Sequence, residues 1–309
     1  MKCSRTALQA GLAALALSGL WMHGGDVLVP NHSFEAPPVI LVGTGIDSWE
    51  KAPKPAWYDE SGGFLWDQLT GVFKNTTNTS PDHIDNIDGH QAIWLFAVPE
   101  VGLFQDFDSL DWRQTEPTHD FDAEFERGTA YQLTVGAIGG GGGMLEGARL
   151  EIGLYYRDTS SNAVTVASTN IAHSVDLFPT TTHFVDVRVD VPTVQASDPW
   201  AGKKIGIRMT STVSQELAGG YWDLDNVRLL SVREPALVNP AITEGGFQFS
   251  LESEPGAMLE ILTSDELNLP TASWNSVGIV TNASGSAPFI DNVVEENQRF
   301  YRARQVPRP

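Results

Sequence analysis

The chain has 309 residues, of which 19 are basic and 39 acidic, for a net charge of −20. That length supports a sizeable core and more than one domain. The acidic balance weighs against nucleic acid as a partner and suits cations, neutral ligands and high solubility.

The opening run, MKCSRTALQAGLAALALSGL, places Lys2 and Arg5 ahead of small apolar residues and leucines. This is the pattern of a secretory signal peptide over residues 1–25, and the apolar run is too short for a confident membrane span. The reading implies a secreted, surface or periplasmic protein with no membrane span in the mature chain. Cys3, the one cysteine, lies inside the signal, so the exported chain would have no disulfide.

Beyond residue 25 no long amphipathic helix is visible. Short apolar or alternating runs recur between Gly, Pro, Asn, Asp and Ser. Strands are predicted at 92–98, 130–138, 148–157, 183–191, 203–211 and at YWDLDNVRLL (221–230). This spacing predicts an antiparallel all-β sandwich or jelly roll. GGGGG (139–143) leads into another strand rather than into Lys-Ser or Lys-Thr and a helix, so it reads as a flexible hairpin connection and not a phosphate loop. REPALVNP (233–240) reads as a linker, and the short strands over 241–306 form a small second β-domain.

YWDLDNVRLL poses a chemical question. Side chains two apart on a strand share a face, so Tyr221, Asp223, Asp225 and Val227 are expected on one face and Trp222, Leu224 and Asn226 on the other. An acid in an apolar strand needs a partner, because burying a bare charge is costly. Elsewhere, WYDESGGFLWD (57–67) gathers aromatics in a glycine-containing loop, where exposed rings on a rigid scaffold suit ligand stacking. Trp57, Tyr58 and Trp66, together with Trp94, are the candidate ligand-binding residues. Trp94 and Phe96 fall on one strand face, where they line either a concave side or the core. The acidic runs at 106–112 and 119–126 read as solvated loop or edge-strand charge, with a weak calcium site as the alternative. The loop PDHIDNIDGH (81–90) with His83 and His90 reads as a turn-rich loop, with cation binding as the alternative. No G-x-S-x-G or H-E-x-x-H motif is present.

Two segments together carry a family resemblance. VPNHSFEAPP (29–38) opens the large domain and YWDLDNVRLL closes it, with DGHQAIWLF, GLFQDF and GTAYQLTVGA between them in order. This resembles carbohydrate-binding modules of the galactose-binding-like jelly-roll type, families 4 and 9, over residues 26–232. The resemblance implies a structural Ca²⁺ tying the first strand to the last through Glu35 and Asp225, with Asn31 as a further candidate. It also implies a glycan or polysaccharide partner. The C-terminal pattern TSDEL, Trp274, Phe289, Asp291 and Arg299–Arg302 resembles a small β-module of secreted bacterial proteins.

The main expectation is therefore a calcium-stabilised, non-catalytic glycan-binding protein. The same jelly roll also resembles calcium-dependent cyclases of indole natural products, which use a buried acid and an aromatic pocket. On that alternative Asp223 is the catalytic acid, with Trp94 and Tyr156 as pocket walls. A purely structural surface or matrix protein is the third reading. An open aromatic groove would mark the first, and a buried acid beside an enclosed pocket the second.

Overall fold

A computed structural model describes residues 25–292 and 298–306. The expected signal segment falls, but for Gly25, outside the described residues. Those residues divide into two compact units, Asp26–Ser231 and one that contains Val232 and the strands after it.

The large unit is an all-β jelly-roll sandwich. Its strands are β1 (Gly25–Val27), β2 (Val42–Gly43), β3 (Glu50–Lys51), β4 (Thr70–Lys74), β5 (Gln91–Phe96), β6 (Gly102–Gln105), β7 (Thr129–Gly141), β8 (Arg149–Arg157), β9 (Ala163–Ala172), β10 (Val185–Val191), β11 (Gly206–Ser211) and β12 (Tyr221–Arg233). One sheet runs in the order β10-β7-β12-β5-β4-β2, with β1 also paired to β12. The other runs β3-β6-β11-β8-β9. Alternation drives the layering. Ile93 and Leu95 of β5, Leu133, Val135 and Ala137 of β7, Leu150, Ile152 and Leu154 of β8, and Trp222 and Leu224 of β12 are all fully buried in one core cluster. Their neighbours along each strand face outward.

The second unit holds β13 (Ala236–Thr243), β14 (Gly246–Glu252), β15 (Ala257–Ser264), β16 (Asn275–Asn282), β17 (Ser286–Asp291) and β18 (Phe300–Val306). Two three-stranded sheets, β13-β14-β17 and β16-β15-β18, enclose a small core around Phe249, Leu251, Leu259 and Ile261. Most of the predicted linker is strand, because β12 continues to Arg233 and β13 begins at Ala236.

Three local expectations are corrected. The glycine run is not a free hairpin, since Gly139 to Gly141 are the last residues of β7. They are glycines because rings lie where side chains would be. A Cβ on Gly139 would come within 2.8 Å of the Trp222 ring and 2.9 Å of His173, closer than real carbon contacts. Second, strict alternation fails at Asn226, which takes a left-handed backbone (φ 53°). That kink returns Val227 to the core cluster that holds Trp222 and Leu224, away from Asp223. Third, Tyr156 belongs to the same core cluster, so it cannot wall a site on the outer face.

Candidate active site on the outer sheet face

The site follows from register. β12 pairs antiparallel with β5 so that Asp223 lies opposite Trp94 and Tyr221 opposite Phe96. On the far side of β5, Gly71 of β4 lies opposite Trp94. Directly paired residues share a face, so Gly71, Trp94 and Asp223 form one row and Phe96 and Tyr221 the next. Trp222, Leu224, Ile93 and Leu95 fill the core, so these rows stand on the outer face.

Trp94 is held in place. Its Nε1 donates to the Gln68 carbonyl at 3.1 Å, and its ring covers Gly71, where a Cβ would come within 2.4 Å of the indole. Phe96 packs between Tyr221 (5.9 Å between centroids) and Phe64 (6.3 Å). Tyr221 in turn lies against Gly141 and Gly142.

Asp223 is 9% exposed and its Oδ1 has no hydrogen-bond partner. Burial pushes the carboxyl up to about 8, and no opposing influence acts on it. A carboxyl in that position is neutral at pH 7 and can donate a proton.

Asp225 shares the outer side of the strand but not the surroundings. It is fully buried, and its Oδ2 accepts the Asp88 amide at 2.7 Å while its Oδ1 has no partner. Burial also raises it to about 8. The Asp88 and Asn226 amides pull it down, and the carboxylates of Asp88 and Glu35 push it up. Glu35 Oε1 accepts the amides of His90 and Gln91, both at 2.7 Å. The segment from Asp88 to Gln91 therefore wraps two carboxylates with its backbone N–H groups. Ile84 and Ile87 anchor the same loop on Ala92, Ile138, Phe184 and Phe73.

Asn31 does not join that pair through its side chain. Its Nδ2 donates to the carbonyls of Ala36 and Asp47, both at 2.8 Å, and its Oδ1 accepts the Ala36 amide. Its amide is spent on the turn that delivers Glu35. Among the described residues, no group of three or more His, Cys, Asp or Glu side chains is placed to hold a metal ion.

The other aromatic candidates form a separate cluster. Trp57, Tyr58 and Trp66 meet edge-to-face, with centroids 4.9 to 6.3 Å apart. Trp66 is a core residue whose Nε1 donates to the Ala52 carbonyl, and Trp57 Nε1 donates to Glu100. Of the four predicted ligand-binding rings, only Trp94 stands beside Asp223. Phe96 joins it by alternation, as the sequence allowed. Tyr221 and Phe64 were missed as site residues, because which ring touches which depends on strand pairing.

A cavity of about 260 Å³ lies at the other sheet, lined in part by Asp106, Tyr155, Arg157 and Lys204. None of the residues around Asp223 lines it. Its floor is a closed network in which the Tyr155 hydroxyl and Arg157 Nε both donate to Asp106 Oδ2, at 2.5 and 2.7 Å.

The sequence model of the HpiC1-like family, described as HpiC1 cyclase, matches residues 26–230. The chain belongs to this cyclase family. Membership overturns the glycan-binding expectation, because the residues taken for a carbohydrate-binding module are those of a cyclase domain. Among solved structures, a cyclase from Fischerella sp. TAU is 18% identical, with 68% of this chain and 98% of that chain covered and a TM-score of 0.48. A second Fischerella sp. TAU cyclase structure, in complex with 4-(1H-indol-3-yl)butan-2-one, is 20% identical over 67% and 97% of the two chains, with a TM-score of 0.46. The CBM22-1 xylan-binding domain from Paenibacillus barcinonensis Xyn10C is 14% identical over 69% and 97%, with a TM-score of 0.36. A search of curated proteins finds no match. No helix among the described residues is long and apolar enough to cross a membrane.

Proposed function

We propose that the large unit catalyses acid-promoted ring closure of a small, flat, unsaturated molecule on the outer face of the β12-β5-β4 rows. The observation that carries this reading is Asp223, a buried carboxyl with an orphan oxygen, held neutral by burial and set beside Trp94. The neutral acid gives its proton to an unsaturated carbon of the substrate, leaving a carbocation and an Asp223 carboxylate. A new carbon–carbon bond closes the ring, and a proton lost from the product cation returns to Asp223. Atoms balance, so product and substrate have the same mass. The rings of Trp94, Phe96 and Phe64 supply π faces that favour a nearby positive charge and keep water from trapping it.

Calcium is part of the same proposal. Asp225 Oδ1 is a buried oxygen without a donor beside the negative charges of Glu35 and Asp88, and a hard cation would answer both features. Glu35 and Asp225 would hold it, with Asp88 close by and backbone carbonyls completing the shell. Its contribution would be to fasten the loop over 84–91 to the strands it covers. The expected export of the chain belongs to this reading too, with a small organic molecule as the partner in place of a polysaccharide.

The test is a panel of alkenyl-substituted indoles and phenols incubated with the full chain, with products separated by chromatography and weighed. Isomers of unchanged mass should form with the wild type and vanish with Asp223→Asn. If the Asp223→Asn chain forms the same isomers at the wild-type rate, Asp223 is not the acid.

A further inference from the structure

Asp223 accounts for one polar group on the outer face, and a second is present. Tyr221 lies two residues away on the same side of β12, half-buried, with its ring framed on two sides. A Cβ on Gly141 would fall 2.3 to 2.8 Å from three ring carbons, and one on Gly142 would fall 2.9 to 3.0 Å from two others. Phe96 packs against Tyr221 as well. The framing extends to the turn before β12. Gly220 has φ 72°, and a Cβ there would lie 2.5 Å from the Gly141 carbonyl oxygen and 2.6 Å from the backbone of Met144. The glycines at 141, 142 and 220 therefore let β12 and the end of β7 close around one tyrosine. No hydrogen bond among the described residues occupies the hydroxyl of that tyrosine.

A ring fixed this closely, with an unused donor and acceptor at its tip, is placed to read a ligand. We propose that Tyr221 is the specificity-determining residue of the Asp223 site, where its hydroxyl hydrogen-bonds a heteroatom of the substrate. The proposal rests on the reading of Asp223 as the acid of that site. It narrows the substrate class. Successive same-face positions on a strand are roughly 6–7 Å apart, so the substrate is a flat apolar molecule whose N–H, O–H or carbonyl lies about that far from the carbon that Asp223 protonates. It also gives the five-glycine run a purpose, because any side chain at 141 would push the ring out of place.

Indole and indene test this directly, since they share a shape and differ by an N–H in place of a CH₂. Each is titrated into the full-length wild type, Tyr221→Phe and Gly141→Ala, with affinity read by calorimetry and position by the shift of the Trp94 indole N–H resonance. The expected result is that indole shifts the Trp94 signal and binds Tyr221→Phe about threefold to tenfold more weakly, the effect of one net hydrogen bond. Indene should bind both chains alike. Gly141→Ala should weaken both probes, because it displaces the ring and not the hydroxyl alone. If indole shifts Trp94 but binds Tyr221→Phe as tightly as wild type, the role of Tyr221 is overturned while the Asp223 reading stands. If neither probe shifts Trp94, the outer face is not the ligand site and both fall.

Discussion

Asp223→Asn should make the protein inactive and, near neutral pH, more stable. The carboxyl has a value of about 8 in the folded chain against an ordinary 3.8. Between those values the folded chain binds a proton that the unfolded chain has released. Stability therefore falls as pH rises through this window, by about 1.4 kcal/mol per unit, and is level on either side of it. By pH 7 the accumulated loss is about 4 kcal/mol. Asparagine does not titrate and escapes the loss, but its amide leaves buried N–H groups unpaired, which costs about 1–3 kcal/mol. The balance is a gain of about 1–3 kcal/mol at pH 7 that shrinks to nothing or reverses at pH 5. Urea unfolding of both chains across pH 4.5 to 8, in chelator, measures it. Asp225 titrates in both chains and cancels. Wild-type and variant stabilities that stay parallel across the range would refute the argument, since they would mean that Asp223 ionises alike in both states.

Four further outcomes are expected. If Glu35 and Asp225 hold calcium, a hundredfold excess of free ion over its Kd should stabilise the fold by about 2.7 kcal/mol; chelator should then lower the wild-type Tm and affect Asp225→Asn less, and a wild type indifferent to both would end the calcium proposal. Asn31→Ala loses three hydrogen bonds in one turn and should cost about 2–4 kcal/mol; calorimetry should show calcium stoichiometry unchanged at a temperature where the variant is folded. Gly71→Ala forces the Trp94 indole off its seat and should lower turnover more than it lowers Tm. Tyr155→Phe removes one of two donors to Asp106 Oδ2 and should cost about 1–3 kcal/mol, with cyclisation unchanged.

The sandwich was legible in the sequence because most of its strands bury one face. β7, β8, β10 and β12 all announce themselves by apolar residues at alternate positions. β9 does not. It is an edge strand of its sheet, no residue of its sequence AVTVASTNIA is fully buried, and a register shift between Thr165 and Ala167 interrupts its alternation, so the pattern is weak. Asp223 was legible as a misplaced acid in an apolar strand. Its companions were only half legible. Trp94 and Phe96 share a face by local periodicity, but Tyr221 joins them through the β5–β12 register, and Phe64 through a loop that returns to the sheet. Tyr156 was misassigned against its own alternation, since it follows Leu150, Ile152 and Leu154 at every second position of β8 and all four belong to the core cluster. The glycine run is the clearest case of information that is nonlocal. Five glycines suggest freedom until the rings of Trp222, His173 and Tyr221 are found lying against four of them.

The same long-range dependence divides the two acids of β12. Asp223 and Asp225 are two residues apart on one side of one strand, both buried, and burial raises both. What separates them is the number of donors that arrive from elsewhere in the chain. Asp225 receives the Asp88 amide and is flanked by Asn226 and Glu35, and backbone N–H groups favour a carboxylate over a carboxylic acid. Asp223 receives none, so nothing offsets the desolvation of its charge. The loop that wraps Asp225 and Glu35 stops short of the row containing Asp223 and Trp94. Both carboxyls stand at about 8 without a metal; on the proposed reading a bound cation would draw Asp225 into its charged form, while Asp223 would stay neutral until a substrate takes its proton. A strand built only for packing would leave neither in place, since each costs stability at neutral pH. The sequence Asp-Leu-Asp keeps both, with the intervening Leu224 turned into the core as the anchor that fixes their spacing.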